Sequence, residues 1–428
     1  MSTLLIYVIM FLVLIAISVP IAFALGLSTL VAFVLTNNPI DLFAQRLWTG
    51  LDKFTLVAIP FFILAGELMG GSGILVRLLD FARLIVGKIK GGLLYINIFV
   101  SMLFGGINGS AVADTSAVGS MLIPATKREY KDPELAAAVT AISSVVGPII
   151  PPSLPMLIYT FAAANVSVAA LFLAGIIPGI LLGLSMMAVT FFIAKKRDYP
   201  RDGRTYTFKE VLRILGRFLI AAVLPIIMVA GIVGGVVTPT EAGCIGIIYA
   251  LLIGFFVTKE LTLKATYKAM VRTIIVTAIV MIMIAIGNVA TWWLSIQGIP
   301  ADISTFFQNV TSSPAIFLFL MLILYIFIGL FIEQAAAMIM LVPVFAPLAT
   351  TYGIDPMHFG LVTVLALAIG LITPPVGICL FVSSSIAKVK LQRVFVVSIP
   401  YLIAMTIVLL LVTFVPQIYL WLPRMLGF

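Results

Sequence analysis

The sequence predicts an all-α polytopic membrane protein in which two halves carry the same elements in inverted orientation. The first observation is composition: of 428 residues, 63% are hydrophobic and only 10% are charged, which is unlike any soluble domain. The second is a pair of proline-containing interruptions inside apolar stretches, at 147–153 and 370–377. The third is that Gly147 and Gly370, which open these interruptions, are 223 residues apart, and that other motifs repeat at the same spacing.

The net charge of +9 does not indicate nucleic-acid binding. Most Lys and Arg residues fall in short segments between apolar runs, which is the pattern of cytoplasmic loops. The most basic of these segments, 195–217, is predicted to be a cytoplasmic linker between the halves. The two cysteines, Cys244 and Cys379, lie inside apolar runs and predict neither a disulfide nor a metal site.

The first half begins with the apolar residues 4–35, which could form one long helix or two short helices on either side of Pro20. Residues 36–53 are polar with balanced charge and are expected outside. Residues 72–90 alternate apolar and basic side chains, which predicts an amphipathic arm helix on the inner membrane surface. Residues 91–126 are too short for two spans, have a Gly-rich polar centre and are flanked by basic residues. They predict a re-entrant hairpin that enters from the inside.

The next apolar stretch, 133–163, contains the first proline interruption. Pro148, Pro151 and Pro152 remove amide donors and prevent i→i−4 hydrogen bonding, so the helix must break there. Broken backbone at membrane depth persists only where it is buried in protein or lines a polar cavity. This stretch is therefore predicted to be a broken helix.

The second half repeats these elements from the other side of the membrane. Residues 297–313 form the second predicted arm. Residues 314–350 are apolar around Glu333 and Gln334 and lack basic flanks, which predicts a hairpin that enters from the outside. The second broken helix is predicted at 357–387.

The offset of 223 residues carries several pairs of motifs onto each other: Pro151-Pro152 onto Pro374-Pro375, Asp132-Pro133 onto Asp355-Pro356, Pro124 onto Pro347, and Gly106 onto Gly329. Inverted repeats that contain interrupted helices are a recurring plan of secondary transporters. The same offset maps 242–257 onto 19–34. This favours two short helices at the start of the chain and an N-terminus on the outside.

The hairpin centres and the breaks bring oxygen atoms together. Asn108 and Ser110 offer side-chain oxygens, and the break at 147–152 exposes carbonyls without amide partners. Thr373 adds a hydroxyl at the second break. Hard cations such as Na⁺ require several oxygen ligands, which unwound backbone supplies. We therefore expect one Na⁺ site in each repeat.

Acidic side chains inside a membrane are costly and often functional. Asp114 and Glu333 lie close to the two hairpin centres, where each is either functional or a helix cap or packing partner. Lys and Arg are nearly absent from the spans, so an anionic substrate would be held by helix N-termini, hydroxyls and a cation. This favours a cation-coupled anion carrier.

Two other classes fit the sequence less well. An intramembrane hydrolase would need Ser110 and His358 in contact, but the predicted topology places them on opposite sides. Asp114 has no evident acidic partner for an aspartyl dyad. A channel would need a continuous pore. The chain is therefore not expected to be an enzyme, and saturable uptake would distinguish a carrier from a channel.

Three motifs carry a resemblance to a known family. They are Phe-Gly-Gly-Ile-Asn-Gly-Ser-Ala-Val-Ala-Asp-Thr-Ser-Ala-Val-Gly-Ser-Met-Leu-Ile-Pro at 104–124, Ile-Ile-Pro-Pro-Ser at 149–153 and Leu-Ile-Thr-Pro-Pro-Val-Gly at 371–377. They resemble the large membrane subunit of tripartite ATP-independent periplasmic (TRAP) transporters, the DctM-like family, and the resemblance covers essentially the whole chain. It implies the divalent anion/Na⁺ symporter fold, in which a transport region moves as an elevator against a scaffold.

The resemblance also implies a function and partners. Na⁺ would drive uptake of an acidic substrate, such as sialic acid or a C4-dicarboxylate, that a periplasmic binding protein delivers. A small four-helix membrane subunit is expected as a separate chain. The location would be the bacterial inner membrane, with both termini of this chain predicted to be periplasmic. The alternative is a stand-alone Na⁺/anion symporter of the same fold.

The family's two Na⁺ sites fall on the two hairpin–break pairs. The ligands implied for the first site are Asn108, Ser110, Gly147, Ile150 and Pro152. Those implied for the second site are Gly329, Glu333, Thr373 and Gly377. The candidate substrate-binding residues are Asp114, Ser153 and Pro375.

The chain is expected to divide into a scaffold and a two-part transport region. The expected scaffold comprises 4–35, 169–257 with its cytoplasmic linker, and 394–420. The expected transport region comprises 55–163 and 278–387, each with one arm, one hairpin and one broken helix.

Overall fold

The computed structural model describes residues 3–163, 166–201 and 204–428, apart from the side chains of Ile107 and Asn108. Throughout these residues the regular structure is helical, and no strand occurs among them. The predicted all-α class is therefore confirmed.

The described helices follow the two halves of the chain. Those of the first half are α1 Thr3–Ala16, α2 Ile21–Leu35, α3 Ile40–Leu51, α4 Ala58–Gly71, α5 Ile74–Val86, α6 Gly92–Asn108, α7 Ala111–Tyr130, α8 Pro133–Ser143, α9 Leu154–Ala163 and α10 Val168–Lys196. Those of the second half are α11 Phe208–Val233, α12 Pro239–Leu252, α13 Leu263–Ile296, α14 Ile299–Val310, α15 Pro314–Gly329, α16 Gln334–Thr351, α17 Pro356–Gly370, α18 Ile378–Ala387, α19 Leu391–Phe414 and α20 Gln417–Met425. A short 3₁₀ turn at 144–146 extends α8.

Helix lengths only partly distinguish the spanning helices from the hairpins and breaks, since α1 and α2 are short and the hairpin helix α16 is among the long ones. In the described chain, seven helices are long and apolar enough to cross a membrane, or eight spans if α14 and α15, bent by 118°, count together. The helices α6, α8, α9, α17 and α18 belong to a shorter class of 10–17 residues. At 1.5 Å per residue they extend about 15–26 Å, less than the hydrocarbon core of about 30 Å. Such lengths are what broken spans and re-entrant hairpins require.

The start and end of the chain differ from the simplest predictions. Residues 4–35 form two helices, α1 and α2, that pack against each other, which is the alternative that the repeat favoured. Residues 36–53, expected as a polar outer segment, contain the amphipathic helix α3. The last predicted helix, 394–420, is divided: α19 ends at Phe414 and the amphipathic α20 follows.

The helices pack as two groups. The first contains α1–α4 and α11–α13, and within it α4 packs against both α12 and α13. The second contains α6–α10 and α15–α20, and within it α10 packs against α6, α17, α19 and α20. The amphipathic helices α5 and α14 touch both groups, since α5 contacts α6 and α11 while α14 contacts α13 and α16. They lie within the two segments predicted to be arms.

The broken helices exchange their second halves between the repeats. The second half of the later broken helix, α18, packs against α7 and α8 of the first repeat. Reciprocally, α9 packs against α16 and α17 of the second repeat. Hydrogen bonds accompany both contacts: Tyr159 Oη donates to Pro356 O at 3.0 Å, and Lys127 Nζ donates to Ala387 O at 3.3 Å.

The two broken helices begin with equivalent aspartates. Asp132 caps α8 by accepting a hydrogen bond from Leu135 N at 3.1 Å, and Asp355 caps α17 by accepting from Met357 N at 2.9 Å. Asp132 also forms an ion pair with Arg197 at the end of α10. Because Asp132 is mostly shielded from solvent, both interactions lose less to water than they would on an open surface.

Removal of the Asp132 side chain is expected to destabilise the first broken helix. Asp132→Ala deletes the cap and the ion-pair partner of Arg197, so the free energy of unfolding should fall by about 1–2 kcal/mol. Asp132→Asn keeps an oxygen acceptor for the cap and should lose less. Thermal unfolding of the detergent-purified protein measures both variants. Equal losses for Ala and Asn would show that the ion pair, and not the cap, stabilises the start of α8.

Candidate functional site

The first hairpin tip lies directly against the first break. A Cβ atom added to Gly105 would be 2.4 Å from Gly147 Cα, and one added to Gly106 would be 3.0 Å from Pro151 O. Only glycine, which has no Cβ atom, allows the two backbones to approach so closely. The end of α6 and the interrupted segment therefore meet backbone to backbone.

The tip itself is a tight turn between α6 and α7. Gly109 adopts a left-handed conformation with φ +64°, and its N–H donates to Gly105 O at 2.7 Å. Ser110 then caps α7 by accepting a hydrogen bond from Ala113 N at 3.4 Å. Ser110 is half-buried. The side chain of Asn108, the other predicted ligand at this tip, lies outside the described residues.

The first break leaves several carbonyl oxygens without donors. Among the described residues, no N–H or O–H donates to the carbonyls of Ile150, Pro151 or Pro152. The Pro151–Pro152 bond is cis. Ser153 is buried and fully engaged, since its hydroxyl donates to Pro148 O and accepts from Met156 N at 3.3 Å. Ser153 thus shapes the break, whereas the carbonyls offer ligand atoms.

The second tip and break repeat this arrangement. A Cβ atom added to Gly370 would be 2.6 Å from Gly329 Cα, so α15 and α17 also meet backbone to backbone. Glu333 caps α16 by accepting from Ala335 N at 2.9 Å and from Ala336 N at 3.2 Å. It holds the position equivalent to Ser110, 223 residues earlier.

The second break is more open than the first. Its Pro374–Pro375 bond is cis, and Gly377, with φ +53°, starts α18 in a left-handed conformation. Within the described chain, no donor reaches the carbonyls of Pro374 or Pro375. Pro375 is exposed, whereas Pro152 at the equivalent position of the first break is buried. The two sites therefore share their architecture and differ in access.

Thr373 places a hydroxyl at the entrance of the second break. Its Oγ1 donates to Ile369 O at 2.9 Å. The hydroxyl proton is used in this hydrogen bond, and the lone pairs of Oγ1 remain available to a ligand. Its lone pairs, the free carbonyls of the break and the Glu333 carboxylate are oxygens of the type that alkali cations prefer.

Asp114 lies one helical turn beyond the first tip but does not line an open surface. It is completely buried, and neither carboxylate oxygen has a hydrogen-bond partner among the described residues. At the first tip the structure brings Gly106 and Gly109, next to Ser110, against Ile150 and Pro152, and Gly105 against Gly147. At the second tip it brings Gly329 against Gly370, Thr373 and Gly377 follow in the break, and Glu333 caps the helix after the tip. In this conformation it gives Asp114 and Ser153 no surface toward a substrate, whereas Pro375 is accessible.

Two supporting features escaped the sequence-based prediction. The fixed offset pairs Gly106 with Gly329, but in the structure Gly105 makes the contact with Gly147 that Gly329 makes with Gly370. The other feature is a stripe of glycines on α10. A Cβ atom added to Gly175 would lie 2.4 Å from Ile149 O, and one added to Gly179 would lie 2.4 Å from the Ile150 side chain. The spacing of four residues between these glycines was the available signal.

Comparison with known proteins gives consistent matches. A sequence model of the family described as tripartite ATP-independent periplasmic transporter, DctM component, matches residues 8–418. The sialic acid TRAP transporter large permease protein SiaM of Vibrio cholerae is 38% identical over 414 residues, covering 96% of both chains. The C4-dicarboxylate TRAP transporter large permease protein DctM of Pseudomonas aeruginosa is 35% identical over 405 residues, covering 94% of both chains.

A solved structure also shares the fold. The YdaH transporter of Alcanivorax borkumensis superimposes with a TM-score of 0.63 over 90% of both chains, at 15% sequence identity. At that identity the similarity concerns the fold alone. It shows that this arrangement of helices occurs in a membrane transporter.

Proposed function

We propose, from the premise that this chain belongs to the DctM family of tripartite ATP-independent periplasmic transporters, that it is the substrate-translocating subunit of a Na⁺-coupled importer of carboxylates. The family makes the chain a large permease that acts in the bacterial inner membrane. The observation that carries the finer proposal is the pair of tip–break contacts, Gly105 with Gly147 and Gly329 with Gly370. Carbonyl and hydroxyl oxygens of the tip and the break lie next to each of these two contacts.

Each tip–break pair would bind one Na⁺ ion as coupling cargo. The first would use the Ser110 hydroxyl and carbonyl oxygens of the break at 147–152. The second would use Thr373, Glu333 and the carbonyls that precede Gly377. Na⁺ at these positions would tie tip to break, because one ion would bridge two segments between which the described residues form no hydrogen bond.

The substrate would bind between the two breaks. The relatives named above are named for sialic acid and for C4-dicarboxylates, both of which are carboxylates. The first turns of α9 and α18 present the positive end of the helix dipole, which suits a carboxylate, although Met156 N and Cys379 N already donate to Ser153 Oγ and Leu371 O. Pro375, exposed before α18, would border this position.

Translocation would be an elevator movement of one helix group against the other. The support is the packing of the helices in two groups, which α5 and α14 connect and which also meet directly where α4 packs on α6 and α13 packs on α16. The contacts favour a boundary that differs from the sequence-based one for several helices, among them α4, α10 and α19. We place α4 with the scaffold, because it packs on α12 and α13, and α10 and α19 with the moving group, because they pack on the broken helices.

The family implies two partners, a small membrane subunit and a periplasmic binding protein. In this proposal the small subunit is a separate chain that braces the scaffold, and the binding protein delivers the substrate to the periplasmic face. Both termini of the large subunit would lie on that face.

Reconstitution tests the proposal directly. Proteoliposomes that contain this chain with its small subunit are supplied with the binding protein, a labelled carboxylate from a panel that includes sialic acid and C4-dicarboxylates, and an inward Na⁺ gradient. We expect saturable uptake that requires both the gradient and the binding protein. Uptake without a binding protein would favour a stand-alone symporter, and unsaturable flux would favour a channel. Uptake that is independent of Na⁺ would overturn the coupling.

A further inference from the structure

A cavity on the side predicted to be cytoplasmic has no role in the Na⁺ sites described above. It measures about 510 Å³ and lies between the start of α8, the end of α10 and the first turns of α19. This volume is within the range of about 300–1,000 Å³ that is usual for ligand pockets. The residues that line it include Asp132, Glu134, Arg197, Gln392, Arg393 and Val396.

Two of the four charged side chains in this cavity are occupied with each other. Asp132 accepts hydrogen bonds from Leu135 N and Tyr199 Oη and forms an ion pair with Arg197. Arg197 in turn donates to Tyr199 Oη at 3.3 Å. Asp132 and Arg197 therefore form a fixed wall of the cavity and leave the other pair to contact a ligand.

Glu134 and Arg393 face each other without a hydrogen bond. Arg393 Nη1 lies 3.7 Å from Glu134 Oε1, which is too long for a hydrogen bond. Such an ion pair contributes little to folding, because the Arg393 side chain is 70% exposed. The second broken helix has Met357 where the first has Glu134, so the start of such a helix does not require this carboxylate.

The cavity is continuous with an exposed apolar face of α19. Val396 lies one turn after Arg393 and is 63% exposed. Further along the same face, the exposed side chains are those of Ile399, Ile403, Ile407 and Leu410. The helices α8, α10, α17 and α18 pack on α19 and leave this face uncovered. Charged groups at the membrane surface that adjoin an apolar helix face are suited to a lipid headgroup and its acyl chain.

The charges in the cavity indicate which headgroup fits. The guanidinium group of Arg393 can donate two hydrogen bonds to a phosphate, and the Gln392 amide can add another. A primary ammonium group can donate to the Glu134 carboxylate. A headgroup with negative charge alone would be repelled by Glu134, and a quaternary ammonium group has no N–H to donate. The cavity therefore matches a phosphodiester that carries a primary amine.

We propose that this cavity binds a phospholipid of the inner leaflet with a primary-amine headgroup, of which phosphatidylethanolamine is the simplest. Arg393 and Gln392 hold its phosphate, Glu134 holds its ammonium group, and one acyl chain lies along the exposed face of α19. The lipid connects the start of the broken helix α8 with α10 and α19, and it stabilises the second helix group as one body. The proposal does not depend on Na⁺ coupling.

Lipid binding to the purified complex of this chain with its small subunit tests the proposal. After removal of endogenous lipid, native mass spectrometry measures the binding of phosphatidylethanolamine, phosphatidylglycerol and glycerophosphoethanolamine, which is the same headgroup without acyl chains. We expect phosphatidylethanolamine to bind at least about tenfold more tightly than either of the others. Equal binding of phosphatidylglycerol would overturn the role of Glu134. Equal binding of glycerophosphoethanolamine would overturn the lipid and assign the cavity to a soluble metabolite.

Substitutions locate the binding in this cavity. Arg393→Gln should weaken phosphatidylethanolamine binding at least about tenfold, because a charge-assisted hydrogen bond to the phosphate is lost. Glu134→Gln should abolish the preference over phosphatidylglycerol. Arg272→Gln is the matched control, because Arg272 is 71% exposed and pairs with Glu67 at 3.4 Å outside this cavity. It should bind lipid like the wild type. Wild-type binding by Arg393→Gln, or equal losses in all three variants, would overturn the proposal.

Discussion

Gly370→Ala is expected to disrupt the second tip–break contact and abolish Na⁺-stimulated uptake. The added methyl group would lie 2.6 Å from both Cα and C of Gly329 and 2.8 Å from its carbonyl oxygen. Because these are backbone atoms, α15 and α17 must separate, at a cost of about 1–3 kcal/mol in the free energy of unfolding. Thermal unfolding and Na⁺-driven uptake of the same preparation measure the two effects.

Gly216→Ala is the matched control for this substitution. Gly216 lies within α11, and no heavy atom is within 4 Å of the position that its Cβ would take. Alanine should therefore raise stability by up to about 1 kcal/mol, since glycine is the poorer helix former. A Gly370→Ala protein with the unfolding midpoint and Na⁺ stimulation of wild type would show that the tip and the break are not in contact.

Thr373→Val is expected to weaken Na⁺ dependence far more than folding. The shapes of the side chains are nearly equal, and Ile369 O still accepts a hydrogen bond from Ile372 N at 3.2 Å after the hydroxyl is lost. What disappears is one oxygen at the entrance of the second break. We expect the Na⁺ concentration for half-maximal uptake to rise at least about tenfold, which corresponds to 1.4 kcal/mol of binding free energy.

The control for Thr373→Val is Thr406→Val on α19. Thr406 makes the same kind of hydroxyl bond to the preceding turn, to Leu402 O at 2.8 Å, and is likewise half-buried, but it lies inside the continuous helix α19 and not in a break. It should leave the Na⁺ dependence unchanged. An unchanged dependence in Thr373→Val as well would remove this residue from the proposed site.

The sequence was most informative where physical constraints act locally. Prolines cannot continue a helix, so the positions of the prolines were enough to predict the breaks at 147–153 and 370–377. The structure contains these breaks between α8 and α9 and between α17 and α18. The two-helix alternative for residues 4–35 followed from the repeat. Ser110 and Glu333, which cap α7 and α16 in the structure, are related by the same offset, although that pairing was not predicted.

The features that escaped prediction depend on tertiary contacts. Lys264 and Lys268 were assigned to a cytoplasmic loop before a span at 273–295, but α13 already begins at Leu263, so both lysines extend the helix beyond the apolar run. A constant offset could not show that Gly105, and not Gly106, touches Gly147. The complete burial of Asp114 depends on α18, which comes from the other half of the chain. No local pattern around residue 114 contains that information.

The exchange of α9 and α18 between the repeats has a consequence for how this protein is made. The ribosome releases α7 and α8 long before it synthesises α18, so the surface that α18 finally covers faces lipid or the insertion machinery for most of synthesis. In a chain that stops at the linker, α18 would not cover the surface of α7 and α8, and α9 would lack the helices α16 and α17 on which it packs. Maturation of either half must therefore wait for the other, and a polypeptide cut at the linker would be a target for proteolysis rather than a functioning half-carrier.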